Sequence, residues 1–223
     1  EDWFASFADS MDLREKVGHV FMVSFPGDAY SGDVADLVEH GKVGGVILYA
    51  SSGNVSNPRQ VKRLTDDLQA HAVSGDDHVP LLIAVDQEGG PVARLREGFT
   101  RFPAAMAVGA TGTAENAAFV ARIMATELLA VGINVNFAPV ADINTNPANP
   151  VIGLRSFGSE PYHVSAFVRA FTRTCRAQGL LTSAKHFPGH GEASVDSHID
   201  LPRLDFDLDR LQRTEFIHFA AAI

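Results

Sequence analysis

The chain has 223 residues, 46% hydrophobic and 20% charged, with 19 Gly and 11 Pro, a globular composition with material for a sizeable core. Eighteen Lys and Arg against 27 Asp and Glu leave a net charge of −9, and without a Lys/Arg cluster that balance is a poor match for nucleic acid or an anionic membrane. No apolar run reaches the roughly 18 residues of a transmembrane segment, and the single cysteine, Cys175, excludes an intrachain disulfide and any CxxC site. The chain opens without Met, so no leader is legible and the compartment stays open, cytoplasmic or secreted.

In chain order, a strand is predicted over 20–25 (VFMVSF), a short helix over 33–40 and a second strand over 43–49 (VGGVILY). After the loop 51–57, Asn57 as N-cap and Pro58 at the first helical position predict a helix over 58–72. A third strand is expected over 81–85 (LLIAV). An Ala-rich helix over 113–131 follows, closed by Gly132, and then a fourth strand over 133–137 (INVNF). The long loop 142–150 precedes a helix over 162–178 ending at Gly179 and a fifth strand over 180–184 (LLTSA). Residues 207–223 are amphipathic and predict a last helix. Strands this continuously apolar are covered on both faces, as in a parallel sheet, and their alternation with helices means an α/β fold. A doubly wound sheet and an eight-stranded (β/α) barrel both remain open, since both put their sites after strand C-terminal ends, where Asp86, Asp142 and His186 fall. The absence of GxGxxG after the first strand counts against a dinucleotide-binding sheet.

The densest chemical cluster is Lys185-His186-Phe187-Pro188-Gly189-His190-Gly191, followed by Asp196-Ser197-His198. Two glycines and a proline make it a shaped loop, and so many ionisable groups in fourteen positions argue against solvated surface histidines. Asp196 and His198 stand two apart, so in an extended segment both side chains face one way. A carboxylate beside an imidazole holds its tautomer and makes a usable proton donor and acceptor near neutral pH. A second cluster is Asp86-Gln87-Glu88-Gly89-Gly90 with Arg94. Asp86 can accept hydrogen bonds from substrate hydroxyls, Gly89-Gly90 allow close backbone approach to a ligand, and Arg94 can grip oxygens bidentately. A third, Asp142 with Asn144 and Asn146 and then Arg155-Ser156-Phe157-Gly158, reads as easily as turn-stabilising chemistry.

Four segments in chain order, 85–95, 139–142, 155–158 and 185–198, resemble glycoside hydrolase family 3, and within it the β-N-acetylglucosaminidase (NagZ-like) branch. The most specific part is KHFPGHG followed closely by DSH, because that branch uses a His–Asp pair where other members use a separate Glu. The resemblance implies a TIM-like (β/α)8 barrel, here cut after about five strands, with residues 1–223 the N-terminal portion of a single catalytic barrel domain. It implies His198 as general acid/base tuned by Asp196. It implies Asp86, Arg94, Arg155, Lys185 and His186 as the pocket for the sugar hydroxyls; Arg155 enters through the resemblance alone. The activity implied is retaining hydrolysis of terminal, non-reducing β-linked N-acetylglucosamine from muropeptide or chitin fragments, through a covalent glycosyl-enzyme, with neither metal nor organic cofactor.

Pro91 stands where the family usually has Arg, and Glu192 where Asp is common. The family's nucleophilic Asp lies well downstream of the DSH loop and has no counterpart before Ile223. It is expected in the remaining part of the same barrel, which is then a partner of these residues. Asp142 and Asp200 are alternatives by geometry, but neither matches the family position and the nucleophile is left unassigned. Three further readings stay open: a sugar-binding module without turnover, a phosphorylase of the same family, and a metal-dependent hydrolase using His186, His190, His198 and Asp196.

Overall fold

A computed structural model describes residues 3–74 and 79–223 of the chain, which divide into two compact units. The first comprises the described residues up to 85 with 94–99 and 128–135, and the second residues 86–93, 100–127 and 136–223.

The first unit opens with two helices that the periodicity did not suggest, α1 (Trp3–Ser10) and α2 (Leu13–His19). A capping box starts α2: the Asp12 side chain accepts from Glu15 N–H while Glu15 accepts from Asp12 N–H. Three strands follow where they were expected, β1 (Met22–Val23), β2 (Gly45–Leu48) and β3 (Leu82–Val85), paired in parallel with Met22 opposite Gly45 and Gly45 opposite Leu82. Val46, Leu48, Ile83, Ala84 and Val85 are fully buried, which is why these runs carry no polar alternation. The short helix between β1 and β2 is α3 (Gly32–Ala35), running into a wider π turn over Asp36–His40. The long helix α4 (Pro58–Ala72) has the predicted bounds, with Asn57 accepting from Gln60 N–H. Its Val61, Leu64, Thr65 and Leu68 are buried, and Thr65 donates to the Val131 carbonyl at 2.7 Å. Gly132 has φ +79°, and a Cβ there would strike the Thr65 side chain, so this position ends its helix as glycine.

The second unit begins with a hairpin of β4 (Gln87–Gly89) and β5 (Val92–Ala93), antiparallel and unforeseen. Gly89 and Gly90 have φ of +98° and +57°, and side chains there would press on Pro103 and Ala104. At both positions the chain's own residues lie close against the side where a side chain would stand. Helices α5 (Ala105–Gly109) and α7 (Pro161–Ala177) frame a core of Val108, Ala117, Ala141, Ile143, Phe157, Val164, Phe167 and Val168. Glu160 caps α7, accepting from the N–H groups of Tyr162 and His163, with Pro161 at its first position. The Ala-rich α6 (Glu115–Ala130) leads to β6 (Val135–Asn136), and β7 (Leu181–Thr182) follows α7. The strand order is β1-β2-β3-β6-β7, chain order once the separate β4–β5 hairpin is set aside, with helices between successive strands, the α/β order of a TIM-like barrel as far as its fifth strand.

β6 is shorter than its apolar run because asparagine side chains replace part of the ladder. Asn134 accepts from Ile83 N–H and donates to the Leu81 carbonyl, within the first unit. Asn136, fully buried, does the same for Gln87 in the second, at 3.0 and 2.8 Å. The predicted last helix is two, α8 (Leu208–Arg213) and α9 (Glu215–Ala220), broken at Thr214, whose φ/ψ of −127°/−70° leaves the helical region. No helix of the described residues is long and apolar enough to cross a membrane.

Candidate active site

The site lies within the second unit, at strand C-terminal ends. Asp86 follows β3 directly, and the Asn136–Gln87 pair fixes the backbone between Asp86 and Glu88. After β7, Lys185 N–H donates to the Pro139 carbonyl and the Lys185 carbonyl accepts from Ala141 N–H, a parallel bridge of Val140 with Lys185. That bridge sets the next residues, Asp142 and His186, side by side. Arg155 ends a single 3₁₀ turn (Gly153–Arg155), and buried Ser156 next to it donates to the Asp142 carbonyl at 2.6 Å.

These placements converge charged groups that are far apart in sequence. Lys185 Nζ lies 2.7 Å from Asp86 Oδ1 and 2.7 Å from Glu88 Oε1. Arg155 donates to Glu88 from Nε and from Nη2, both at 2.9 Å. The Glu88 side chain is only 4% exposed, so one buried carboxylate serves two cations. Arg155 Nη2 also reaches His186 Nε2 at 3.3 Å, and His186 Nδ1 lies 2.6 Å from Asp142 Oδ2. Burial works against the Arg155 charge, but the hydrogen bonds and charge of Glu88, with Asp142 and Asp86 adding, outweigh it and raise the guanidinium pKa above its ordinary value.

Of the residues selected from sequence, Asp86, Arg155, Lys185 and His186 thus share one network. Asp196 and His198 pair with each other, His198 Nδ1 2.7 Å from Asp196 Oδ1, but through a turn and not an extended segment. Asp196 also accepts from His198 N–H at 2.9 Å, and its carbonyl accepts from Ile199 and Asp200. The backbone N–H of His198, then its ring, hold the Asp196 carboxyl below its usual range. The His198 side chain is 79% exposed. Arg94 falls in the first unit, its guanidinium 5.7 Å above the Tyr49 ring. Asp200 belongs to the Asp196 turn and is exposed.

Two members of the network were not singled out from sequence for these roles. Glu88 stood in view within the Asp-Gln-Glu-Gly-Gly run, but its two cations lie 67 and 97 positions away. Asp142 was legible as a polar residue at a strand end, while its partners, His186 and the His190 backbone, depend on the Val140–Lys185 bridge. The Asn-rich loop proves to be turn chemistry: Asn149 donates to the His190 carbonyl, and Asn146 accepts from Ala148 N–H. Glu192 accepts from the Thr145 hydroxyl and lies 3.4 Å from Arg210. Pro91 sits at the turn of the β4–β5 hairpin. Among the described residues no three His, Cys, Asp or Glu converge to hold a metal ion; His186 and His190 meet edge-on with ring centroids 6.0 Å apart.

The loop's shape depends on close packing. Phe187 stacks on Phe216 at 5.7 Å and meets Phe219 edge-on at 5.2 Å. A Cβ on Gly191 would overlap the Ile143 carbonyl oxygen. Gly191→Ala is therefore expected to destabilise the fold by about 1–3 kcal/mol, as overpacking does. Gly32→Ala, where nothing lies within 4 Å, serves as the control; equal denaturation midpoints for the two would refute the packing argument.

The chain is similar to several known proteins. Beta-hexosaminidase A of Pseudoalteromonas piscicida is 44% identical over 195 residues, covering 86% of this chain and 32% of that protein. The solved glycoside hydrolase family 3 beta-N-acetylglucosaminidase from Paenibacillus sp. str. FPU-7 superposes with a TM-score of 0.92 at 44% identity, covering 96% of this chain and 40% of that one. NagZ from Neisseria gonorrhoeae, solved in complex with N-trifluoroacetyl-D-glucosamine, gives 0.81 at 35%, covering 90% and 59%. The chain thus spans less than two thirds of each. The profile of the glycosyl hydrolase family 3 N terminal domain matches residues 12–223. With that match over nearly its whole length, this chain belongs to glycosyl hydrolase family 3.

Proposed function

We propose that this chain is the N-terminal portion of a single catalytic barrel domain, and that the complete enzyme is a retaining glycosidase. Its substrate would be a terminal, non-reducing β-linked N-acetylglucosamine on muropeptide or chitin-type fragments. The observation that carries this reading is the network in which Asp86, Glu88, Lys185, Arg155 and His186 meet at strand ends, followed on the same loop by the Asp196–His198 pair. The relatives' activity and the sugar bound to the Neisseria enzyme support the substrate class.

In this reading Asp86 accepts hydrogen bonds from ring hydroxyls and Lys185, Arg155 and His186 complete the grip. Because Asp196 takes the Nδ1 side of His198, Nε2 is the position that carries the transferable proton. His198 protonates the leaving oxygen as a carboxylate attacks the anomeric carbon, then takes a proton from the water that releases the sugar. The attacking carboxylate is supplied by the part of the enzyme that follows, and no metal or cofactor is called on.

The test uses the complete enzyme and two substrates. His198→Ala should slow glycosides with poor leaving groups by about 100-fold or more, while activated aryl glycosides are nearly spared, because only the former need protonation. Equal losses on both would overturn the acid/base role. Titrating N-acetylglucosamine into the sample used for turnover separates a binding module from a catalyst. Rates with and without phosphate separate hydrolysis from phosphorolysis.

A further inference from the structure

Asp142 is the most completely enclosed carboxylate of the site, with 0% exposure, and its strongest contacts are to one loop. Oδ2 accepts from the His186 backbone N–H at 3.1 Å and faces His186 Nδ1 at 2.6 Å. Oδ1 accepts from the His190 backbone N–H at 2.6 Å. A carboxylate out of water is tolerated when its lone pairs are met by donors, and here both oxygens are. Nδ1 must therefore bring a hydrogen to Oδ2. On the far side of the ring, Nε2 lies 3.3 Å from Arg155 Nη2. A guanidinium has no lone pair to offer and stays charged, so this contact attracts only when Nε2 is bare. The two contacts select the same form of the imidazole.

We propose that Asp142 is a positioning residue that holds His186 as the Nδ1–H tautomer. Nε2 is then the acceptor for Arg155, and this sets the cationic side of the pocket. The inference rests on reading that pocket as a sugar site. It carries no proton in the reaction and touches no substrate; it acts through His186, and through His186 on Arg155, whose other edge is locked on Glu88. With both oxygens occupied and no exposed surface, Asp142 is also unsuited to attack a sugar, which removes one of the two alternative nucleophiles within this chain.

The experiment is long-range proton–nitrogen NMR of histidine-labelled complete enzyme, with the His186 signals assigned by their loss in His186→Gln. Wild type is expected to carry hydrogen on Nδ1 and none on Nε2. Asp142→Asn keeps the volume, and its amide oxygen can still accept from His190 N–H. Its NH2 then faces the two His186 donors, so the ring should change to the Nε2–H form, which opposes Arg155. N-acetylglucosamine affinity should fall about 10- to 100-fold, by analogy with the loss when the carboxylate that orients a metal-ligating histidine is removed. Hydrogen on Nε2 in wild type overturns the proposal, and this spectrum decides even if the variant does not fold. A variant with the wild-type tautomer and wild-type affinity overturns it too. If wild type shows the expected tautomer but neither binds nor cleaves the sugar, the sugar reading fails while the tautomer assignment stands. If it binds and cleaves with Nε2 protonated, the proposal alone fails.

Discussion

Glu88→Gln in the complete enzyme is expected to lower folding stability by about 3–5 kcal/mol, because it removes the shared partner of a buried ion-pair cluster. The cost falls on the cations that remain. Arg155, its side chain 13% exposed, loses the opposite charge and one of its two contacts with Glu88, since a glutamine offers one acceptor oxygen and turns an NH2 to the other donor; His186 Nε2 and, at 3.4 Å, the Val151 carbonyl remain. Lys185 retains Asp86 at 2.7 Å, so its loss is smaller. Turnover should fall further than stability alone explains. An Arg155 head held at position 88 by one contact instead of two no longer aims at one point, and an ångström of misplacement costs on the order of 100-fold in rate. A Glu88→Gln/Arg155→Gln double variant should be less destabilised than the sum of the two single changes, since the residues touch. Denaturant midpoints for the three variants decide: strict additivity would mean that Glu88 and Arg155 do not depend on each other.

The second large effect is on pH. His218, on α9, is fully buried, and among the described residues neither ring nitrogen has a hydrogen-bond partner. Burial lowers its pKa from 6.5 to about 4, the negative charge of Asp142 opposing the shift and the Thr214 backbone resisting it weakly. The unfolded chain therefore binds a proton that the folded one refuses between pH 6.5 and about 4. Stability is full above the unfolded value and declines as pH falls through that window, by on the order of 3 kcal/mol in total for this one group. His218→Phe, which cannot be protonated, should flatten the slope of unfolding free energy against pH between 5 and 7. An unchanged slope would show that His218 is protonated inside the fold. The neighbouring Glu215 adds a smaller contribution of the opposite sense, because burial raises its carboxyl pKa, with Arg210 opposing. It costs stability as pH rises through the carboxylate range, so the His218 slope is best measured above pH 5.

The sequence by itself determined the alternation. Strands covered on both faces are apolar at nearly every position, so 43–49 and 81–85 were legible without any partner. Helix caps such as Asn57 are local chemistry and marked the bounds of α4 to the residue. Motif spacing singled out Asp86, Lys185 and His186 because their residue types are expensive to keep at strand ends without a purpose. Gly89-Gly90 show the limit of a local pattern: glycine permits close approach, but only the fold says what stands where a side chain would be, and here it is Phe102–Ala104. The β4–β5 hairpin, the break at Thr214 and the turn that pairs Asp196 with His198 were likewise decided by packing and by hydrogen bonds that no local pattern encodes. Above all, tertiary structure chose the partners. Asp142 meets His186 because the Val140–Lys185 bridge sets their two segments side by side, and Glu88, in the β4–β5 hairpin, meets Lys185 after β7 and Arg155 on its 3₁₀ turn across long stretches of sequence. A sequence lists the charges; the strand register decides which of them share a proton or a hydrogen bond.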